Sequence, residues 1–165
     1  MIHAQVTRGT KLPIALRQAI PALASALDRE VLALGLKLSA RVKQKLSGEV
    51  LKVRTGRLRR SIHMEMERGA NSIAAVVGTN VSYARLHELG HIVPGHVVEV
   101  RKARALRFLE PSGAVFAKKV YVPPYTLKQR SFLQSSLVEM TPEILQRLSA
   151  VAGAEVRQAF TKGVE

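Results

Sequence analysis

Three residues of the segment His87-Glu88-Leu89-Gly90-His91 could do chemistry together. Two histidines four residues apart project from one face of a continuous helix, where both imidazoles can bind one zinc ion. A glutamate directly after the first histidine can then activate a metal-bound water. The segment therefore matches the zinc-protease motif, with His87 and His91 as ligands and Glu88 as general base.

The elements predicted around this motif do not favour a zinc site. Ser82 is suited to cap a short helix over residues 82–89, and Gly90 and Pro94 follow, so we expect the helix to end before His91. A third ligand is also needed, and His96 is one residue short of the spacing in the extended motif. We therefore expect no metal, no catalytic residues and no other cofactor.

The charge of the chain is strongly positive and unevenly distributed. Lys and Arg total 26 against 12 Asp and Glu, which gives a formal net charge of +14. Residues 37–60 contain nine Lys or Arg and one Glu, and residues 100–130 contain eight and one. Such clusters are typical of a protein with a polyanionic partner. Aromatic residues make up only 4%, which argues against reading of single strands by base stacking.

Apolar periodicity predicts helices in the first third of the chain. Residues 1–12 form a polar arm and residues 14–50 are helical, with Pro21 ending or kinking a first short helix. One apolar stripe then runs along the second helix, at Leu27, Val31, Leu34, Leu38, Val42 and Leu46. The opposite face is expected to present cations outward, at Lys37, Arg41, Lys43 and Lys45.

The middle of the chain has the pattern of strands. Residues 62–67 alternate apolar and polar side chains, and residues 73–77 return as the partner strand of a hairpin. Further strands are expected at residues 97–101, 106–109 and 114–122, with a loop at residues 92–95 and a break of the sheet at residues 123–125.

Two helices are predicted after the strands, within residues 131–160. A short one ends near Leu137, and a long one begins at Thr141 and Pro142. The whole pattern indicates an α+β fold, an antiparallel sheet packed with N-terminal and C-terminal helices, in a single domain of residues 1–165 with its sheet core at residues 54–122.

Four motifs follow one another along this core. They are Thr55-Gly56-Arg57-Leu58 with Ser61-Ile62; Val77-Gly78-Thr79-Asn80-Val81 with Tyr83-Ala84; His87-Glu88-Leu89-Gly90; and Arg130-Ser131-Phe132-Leu133. Through them the chain resembles a family of tailed-phage virion proteins, the neck or tail-completion proteins found where the capsid joins the tail. The resemblance implies structural roles for Thr55, Gly56, Leu58, Gly78, Thr79, Tyr83, Ala84, His87, Glu88, Gly90, Arg130 and Phe132.

These motif residues also have physical roles of their own. Gly78 and Asn80 tolerate a positive φ where a strand passes into a helix. Tyr83, Leu86 and Leu89 are expected to share one helix face and cover the sheet, while Phe132 anchors the C-terminal helices.

The resemblance implies a non-enzymatic structural protein of the virion, assembled in the host cytoplasm. It would form a homo-oligomeric ring, a hexamer or dodecamer, between connector or stopper proteins and tail-tube proteins. DNA would pass through the ring without sequence-specific contacts. The candidate residues for that passage are Lys37, Arg41, Lys43, Lys45, Arg101, Lys102, Arg104, Lys118 and Lys119.

Two alternatives stay open. A free, sequence-independent nucleic-acid-binding protein would use the same cations, and a zinc metalloprotease would use the histidine motif. No membrane partner is expected, because the longest apolar run, residues 19–27, is shorter than the ~20 residues of a membrane helix.

Overall fold

The computed structural model describes residues 14–51, 53–70, 72–101, 104–111 and 113–162. They cluster into two compact units, which we call the helical unit (residues 1–80 and 132–165) and the ribbon unit (residues 81–131). The arm expected at residues 1–12 lies outside the described residues. The helical unit contains α1 Ile14–Gln44, a π-helical turn Lys45–Glu49, α2 Arg57–Ser61, β1 His63–Arg68, β2 Ile73–Gly78 and α4 Phe132–Lys162. The ribbon unit contains α3 Ala84–Leu89, β3 His91–Val93, β4 His96–Glu99, β5 Leu106–Glu110, β6 Gly113–Ala117, β7 Lys119–Val122 and β8 Tyr125–Leu127.

The apolar stripe of α1 forms the core of the helical unit. Leu34, Val42 and Leu46 are buried, and the other stripe residues are half-buried, so the predicted face is confirmed. The helix ends where Gly48 adopts a φ of 125° in the π-helical turn.

The β1–β2 hairpin packs on α1. Its register runs from His63 opposite Gly78 to Arg68 opposite Ile73, which confirms the predicted hairpin. A Cβ placed on Gly35 of α1 would lie 2.6 Å from the Cβ of Ala75. The helix and the hairpin therefore approach so closely at this point that only a glycine fits without movement.

The two prolines expected to mark helix boundaries, Pro21 at an end or kink and Pro142 at a start, both lie inside helices. Pro21 lies inside α1 and Pro142 inside α4, each of which is one continuous helix of 31 residues. Proline removes one backbone N–H, but the helix on either side of Pro142 is held to α1 by ion pairs from Glu139 and Glu143. The expected separation between a short and a long C-terminal helix is therefore wrong.

Six short strands of the ribbon unit pair as nested antiparallel partners. β3 pairs with β8, β4 with β7 and β5 with β6. The first two pairs share one register, from His91 opposite Leu127 to Glu99 opposite Lys119. These nested pairs form one long antiparallel hairpin-like ribbon. We call residues 91–127 the ribbon.

The ribbon corrects several boundaries expected from the sequence. Ile92 and Val93 belong to β3 and not to a loop, and the sheet resumes at Tyr125 after the two prolines. The strand expected at residues 114–122 is divided into β6 and β7 at Lys118. Cross-strand partners decided these bounds, and a single strand's own pattern does not reveal them.

The predicted α+β class with antiparallel strands is confirmed. Within the described residues, however, the strands form four two-stranded pairs and not one sheet. A two-stranded pair leaves the backbone groups at the outer edge of both strands without a neighbouring strand.

Candidate assembly and nucleic-acid surfaces

The histidine motif does not lie on one helix. α3 starts after Tyr83, without a side-chain cap from Ser82, and ends at Leu89. Gly90 follows with a φ of 75°, and His91 is the first residue of β3. As expected from the sequence, the helix ends before His91, so His87 and His91 do not project from a common helical face. Within the described part of the chain, no group of three or more His, Asp or Glu side chains is arranged to hold a metal ion.

The same motif instead joins α3 to the chain that leaves the ribbon. The backbone N–H of Arg130 donates to the carbonyl oxygen of His87 at 2.8 Å. The hydroxyl of Ser131 donates to Oε1 of Glu88 at 3.5 Å. A Cβ on Gly90 would lie 3.0 Å from the backbone nitrogen of Gln129. The third and fourth motifs are thus brought together by backbone and side-chain contacts of a structural kind.

Three residues of α3 are not placed as expected. Tyr83, Leu86 and Leu89 are all exposed, the last to 57%, so they do not cover a sheet. Tyr83 packs edge-on against the imidazole of His87, with ring centroids 6.1 Å apart. The short helix has only two turns, and its apolar side chains are left partly open to solvent.

The first two motifs meet in the helical unit. The hydroxyls of Ser61 and Thr79 are 2.6 Å apart, and Ser61 also donates to the carbonyl of Leu58. Gly78 and Asn80 have no positive φ, contrary to expectation, whereas Gly56 has a φ of 69°. Of these three residues, Gly56 at the start of α2 adopts the left-handed conformation, whereas Gly78 and Asn80 at the end of β2 do not.

Cations of α1 and of the π-helical turn are paired with acids, chiefly those of α4, which the sequence did not predict. Lys45 is only 2% exposed, and its Nζ donates to Oε1 of Glu139 and to the hydroxyl of Ser135, both at 2.6 Å. Arg41 forms ion pairs with Glu49 and Glu139. Hydrogen bonds from Lys45 and Arg41 hold the pKa of Glu139 below its ordinary value. The expectation that Lys45 points outward is wrong.

A second group of ion pairs continues along the same two helices. Lys37 pairs with Glu143, and Arg147 pairs with Glu30 of α1 and with Glu143. The hydrogen bond from Lys37 lowers the pKa of Glu143. Of the four DNA-passage candidates in the first basic block, only Lys43 forms no ion pair with a described residue.

The candidates in the ribbon remain open to solvent. Arg101, Arg104 and Lys118 are exposed, whereas Lys119 pairs with Glu99 at 2.6 Å. Lys102 lies outside the described residues. The second basic block therefore keeps more of its charge available than the α1 cations do.

One group of cations was not singled out among the predicted site residues. Arg54, Arg57, Arg59 and Arg60 surround the Gly56 turn, and all four are exposed. None of them forms an ion pair with another described residue. The signal was present in the sequence, because no Asp or Glu lies between Glu49 and Glu65.

Residues 16–90 match the model of the HK97-gp10-like family, which is described as "Bacteriophage HK97-gp10, putative tail-component". The matched segment contains the first three motifs, and it confirms the resemblance to a tailed-phage family. The match supports a structural protein of a phage with a place in the virion, and it favours a non-enzymatic role. No curated protein and no solved structure matches the chain. None of the helices in the described part is long and apolar enough to cross a membrane.

Proposed function

We propose that the chain, whose residues 16–90 match the model of the HK97-gp10-like family, forms a ring in the tailed-phage virion. The ring is a homo-oligomer, a hexamer or dodecamer, at the head–tail junction. It lies between connector or stopper proteins and tail-tube proteins, and DNA passes through its centre.

The observation that carries this proposal is the exposed apolar surface of the ribbon. Leu109 is 81% exposed and Phe116 64% exposed, on the same face of the β5–β6 pair. A two-stranded ribbon is marginally stable in water by itself, and exposed large apolar side chains mark surfaces that meet another protein. We therefore expect another protein surface to pack on the exposed apolar face of the ribbon.

A second copy of this chain is the occupant that the charges favour. Arg107 lies opposite Phe116 on the exposed face of the ribbon. On the helical unit, the outer face of β1–β2 carries Glu65 and Glu67 beside the exposed Val76. These two carboxylates form no ion pair with a Lys or Arg of the described residues. A basic and apolar ribbon thus meets an acidic and apolar hairpin of its neighbour.

Contacts of this type are heterologous, because the two surfaces differ. Repeated by rotation, a heterologous contact closes a ring when the rotation divides a full turn evenly. Copies in a ring also place their exposed cations around one axis, so that a modest charge per chain produces a strong field for DNA phosphates.

The test is assembly in solution and in the particle. The ring should be visible by native mass spectrometry of the protein alone or with its neighbouring ring, and at closed-ring stoichiometry in purified virions. Phe116→Ser should abolish the ring, whereas Val138→Ser, which changes an equally exposed residue on α4, should not. Absence from particles contradicts the proposal, and loss of assembly in the α4 variant alone contradicts the role of the ribbon.

The second candidate is a free nucleic-acid-binding protein that makes sequence-independent contacts. The exposed arginines around Gly56 favour it, because guanidinium groups without carboxylate partners bind phosphate readily. A monomer that binds duplex DNA and never enters particles would establish this alternative.

A further inference from the structure

The first basic block divides into two parts with different surroundings. In α1 and the π-helical turn after it, Lys37, Arg41 and Lys45 are paired with Glu143, Glu49 and Glu139, respectively. These cations already have counter-charges within the chain. Contacts to an external polyanion would have to break those ion pairs, so they are poor candidates for DNA binding.

The second part is the turn that contains Arg54, Arg57, Arg59 and Arg60, which we call the arginine turn. All four side chains are exposed, and in the described part of the chain none has a carboxylate partner. Arg59 donates to the hydroxyl of Ser47 at 3.2 Å, a neutral group. The positive charge of the arginine turn is therefore available to an external anion.

The backbone under the arginine turn is fixed. Leu58 and Ile62 are buried, and they hold α2 to the helical unit. Gly56 adopts the left-handed conformation, and its carbonyl accepts the N–H of Arg60 at 3.0 Å. The hydroxyl of Thr55 accepts the N–H of Arg57 at 3.4 Å. With these anchors inside, Arg57, Arg59 and Arg60 are left on the outside.

Guanidinium groups suit phosphate better than ammonium groups do, because their planar donors can form two parallel hydrogen bonds to its oxygens. The turn contains no aromatic residue on which a base could stack. The chemistry therefore fits the backbone of duplex DNA and carries no base specificity.

We propose that the arginine turn is a phosphate-binding site of this protein for duplex DNA, in place of the paired cations Lys37, Arg41 and Lys45. This inference rests on the proposed function, which supplies DNA as the polyanion. It assigns the contact to arginines of the first basic block that were not among the candidate residues for the DNA passage.

The test compares two triple variants of the full chain that lose the same charge. One is Arg57→Gln, Arg59→Gln and Arg60→Gln in the arginine turn. The other is Arg29→Gln, Arg85→Gln and Arg157→Gln, which removes three exposed arginines from α1, α3 and α4. Binding of a fluorescein-labelled duplex is measured by anisotropy at several salt concentrations, after circular dichroism has shown that both variants are folded.

Each phosphate contact contributes about 0.9 to the slope of log K against log salt. The arginine-turn variant should therefore lose about 2.7 from that slope, and the control variant less than about 1. Equal losses in both variants would show that only net charge matters, and no loss in either would also overturn the site. If the triple variant does not fold, Arg57→Gln alone should lose about 0.9, and an unchanged slope there overturns the site.

Assembly is measured separately from DNA binding. An arginine-turn variant that still forms the ring and loses the salt slope supports both proposals. If the unmodified protein forms no ring but the arginine-turn variant still loses the salt slope, the proposed ring is contradicted and the phosphate site is supported.

Discussion

The close approach of α1 to the β1–β2 hairpin predicts opposite results for the same substitution at two helical glycines. Gly35 lies on α1, where a Cβ would be 2.6 Å from the Cβ of Ala75 and 3.3 Å from Cγ of Met64. Gly153 lies on α4, where the nearest atom would be Nη2 of Arg157 at 3.9 Å. Replacement by alanine therefore adds a methyl group to a filled space in one case and to open space in the other.

The magnitudes follow from two terms. Alanine inside a helix is favoured over glycine by about 1 kcal/mol at either position. At Gly35 the new methyl group is about 1 Å closer to Ala75 than ordinary carbon contact allows, and overpacking of this kind costs about 1–3 kcal/mol. We expect Gly153→Ala to stabilise the protein by about 1 kcal/mol. Gly35→Ala should range from neutral to a loss of about 2 kcal/mol.

Urea unfolding at 25 °C, followed by two probes, measures both changes in the free energy of unfolding. The propensity term cancels between the two variants, so their difference isolates the contact between helix and hairpin. Ala75→Gly removes the Cβ that the new methyl group would meet. In a protein that already carries Ala75→Gly, Gly35→Ala should therefore no longer lower the free energy of unfolding. If Gly35→Ala stabilises the protein as much as Gly153→Ala does, the helix does not approach the hairpin as described.

Three further results are expected. Phe132→Ala removes a side chain that is fully buried at the start of α4, and it should cost about 3–5 kcal/mol in urea unfolding. The lowered pKa values of Glu139 and Glu143 mean that the folded state binds fewer protons than the unfolded state. Their stabilising effect should be present at pH 7 and lost as the pH falls through and below the ordinary glutamate value of about 4.3, which urea midpoints across that range will show. Elemental analysis should find well under one zinc per chain, because His87 and His91 lie on different elements; one zinc per chain would contradict this.

The sequence predicted the elements whose own pattern is decisive. The stripe on α1 and the β1–β2 hairpin were found because their periods of about 3.6 and 2 residues are unambiguous. The end of α3 at Gly90 was also predicted from local chemistry. In each case the residues that determine the structure are neighbours in the chain.

Elements that depend on distant partners were predicted less well. Nothing in residues 91–93 distinguishes a loop from a strand until Tyr125 and Leu127 lie opposite. Proline rules placed a helix boundary at Pro142, but the ion pairs of α4 with α1 are formed between residues about a hundred positions apart. Such contacts have no signature in a single segment of sequence.

The candidate site shows the same division. The two basic blocks were evident from composition, but composition does not tell which cations are already paired. Lys45 was expected to be exposed because its position continues the charged face of α1. It is buried because its ammonium group donates hydrogen bonds to Glu139 and Ser135. The lack of Asp and Glu between Glu49 and Glu65 already indicated the exposed arginines of the arginine turn, but only the structure shows that Lys37, Arg41 and Lys45 are paired with acids.

The family match ends at residue 90 and the ribbon begins at residue 91, so the two proposed surfaces lie on opposite sides of that boundary. The phosphate backbone presents the same chemistry in every duplex. A DNA-facing turn is therefore a feature that different phage tail components can share, and the arginine turn lies inside the matched segment. The proposed contact between copies joins the ribbon, with its exposed Leu109 and Phe116, to the β1–β2 hairpin of the next copy. One half of that contact therefore lies outside the matched segment and the other half inside it, so a change on the ribbon must be complementary to the hairpin for the ring to form.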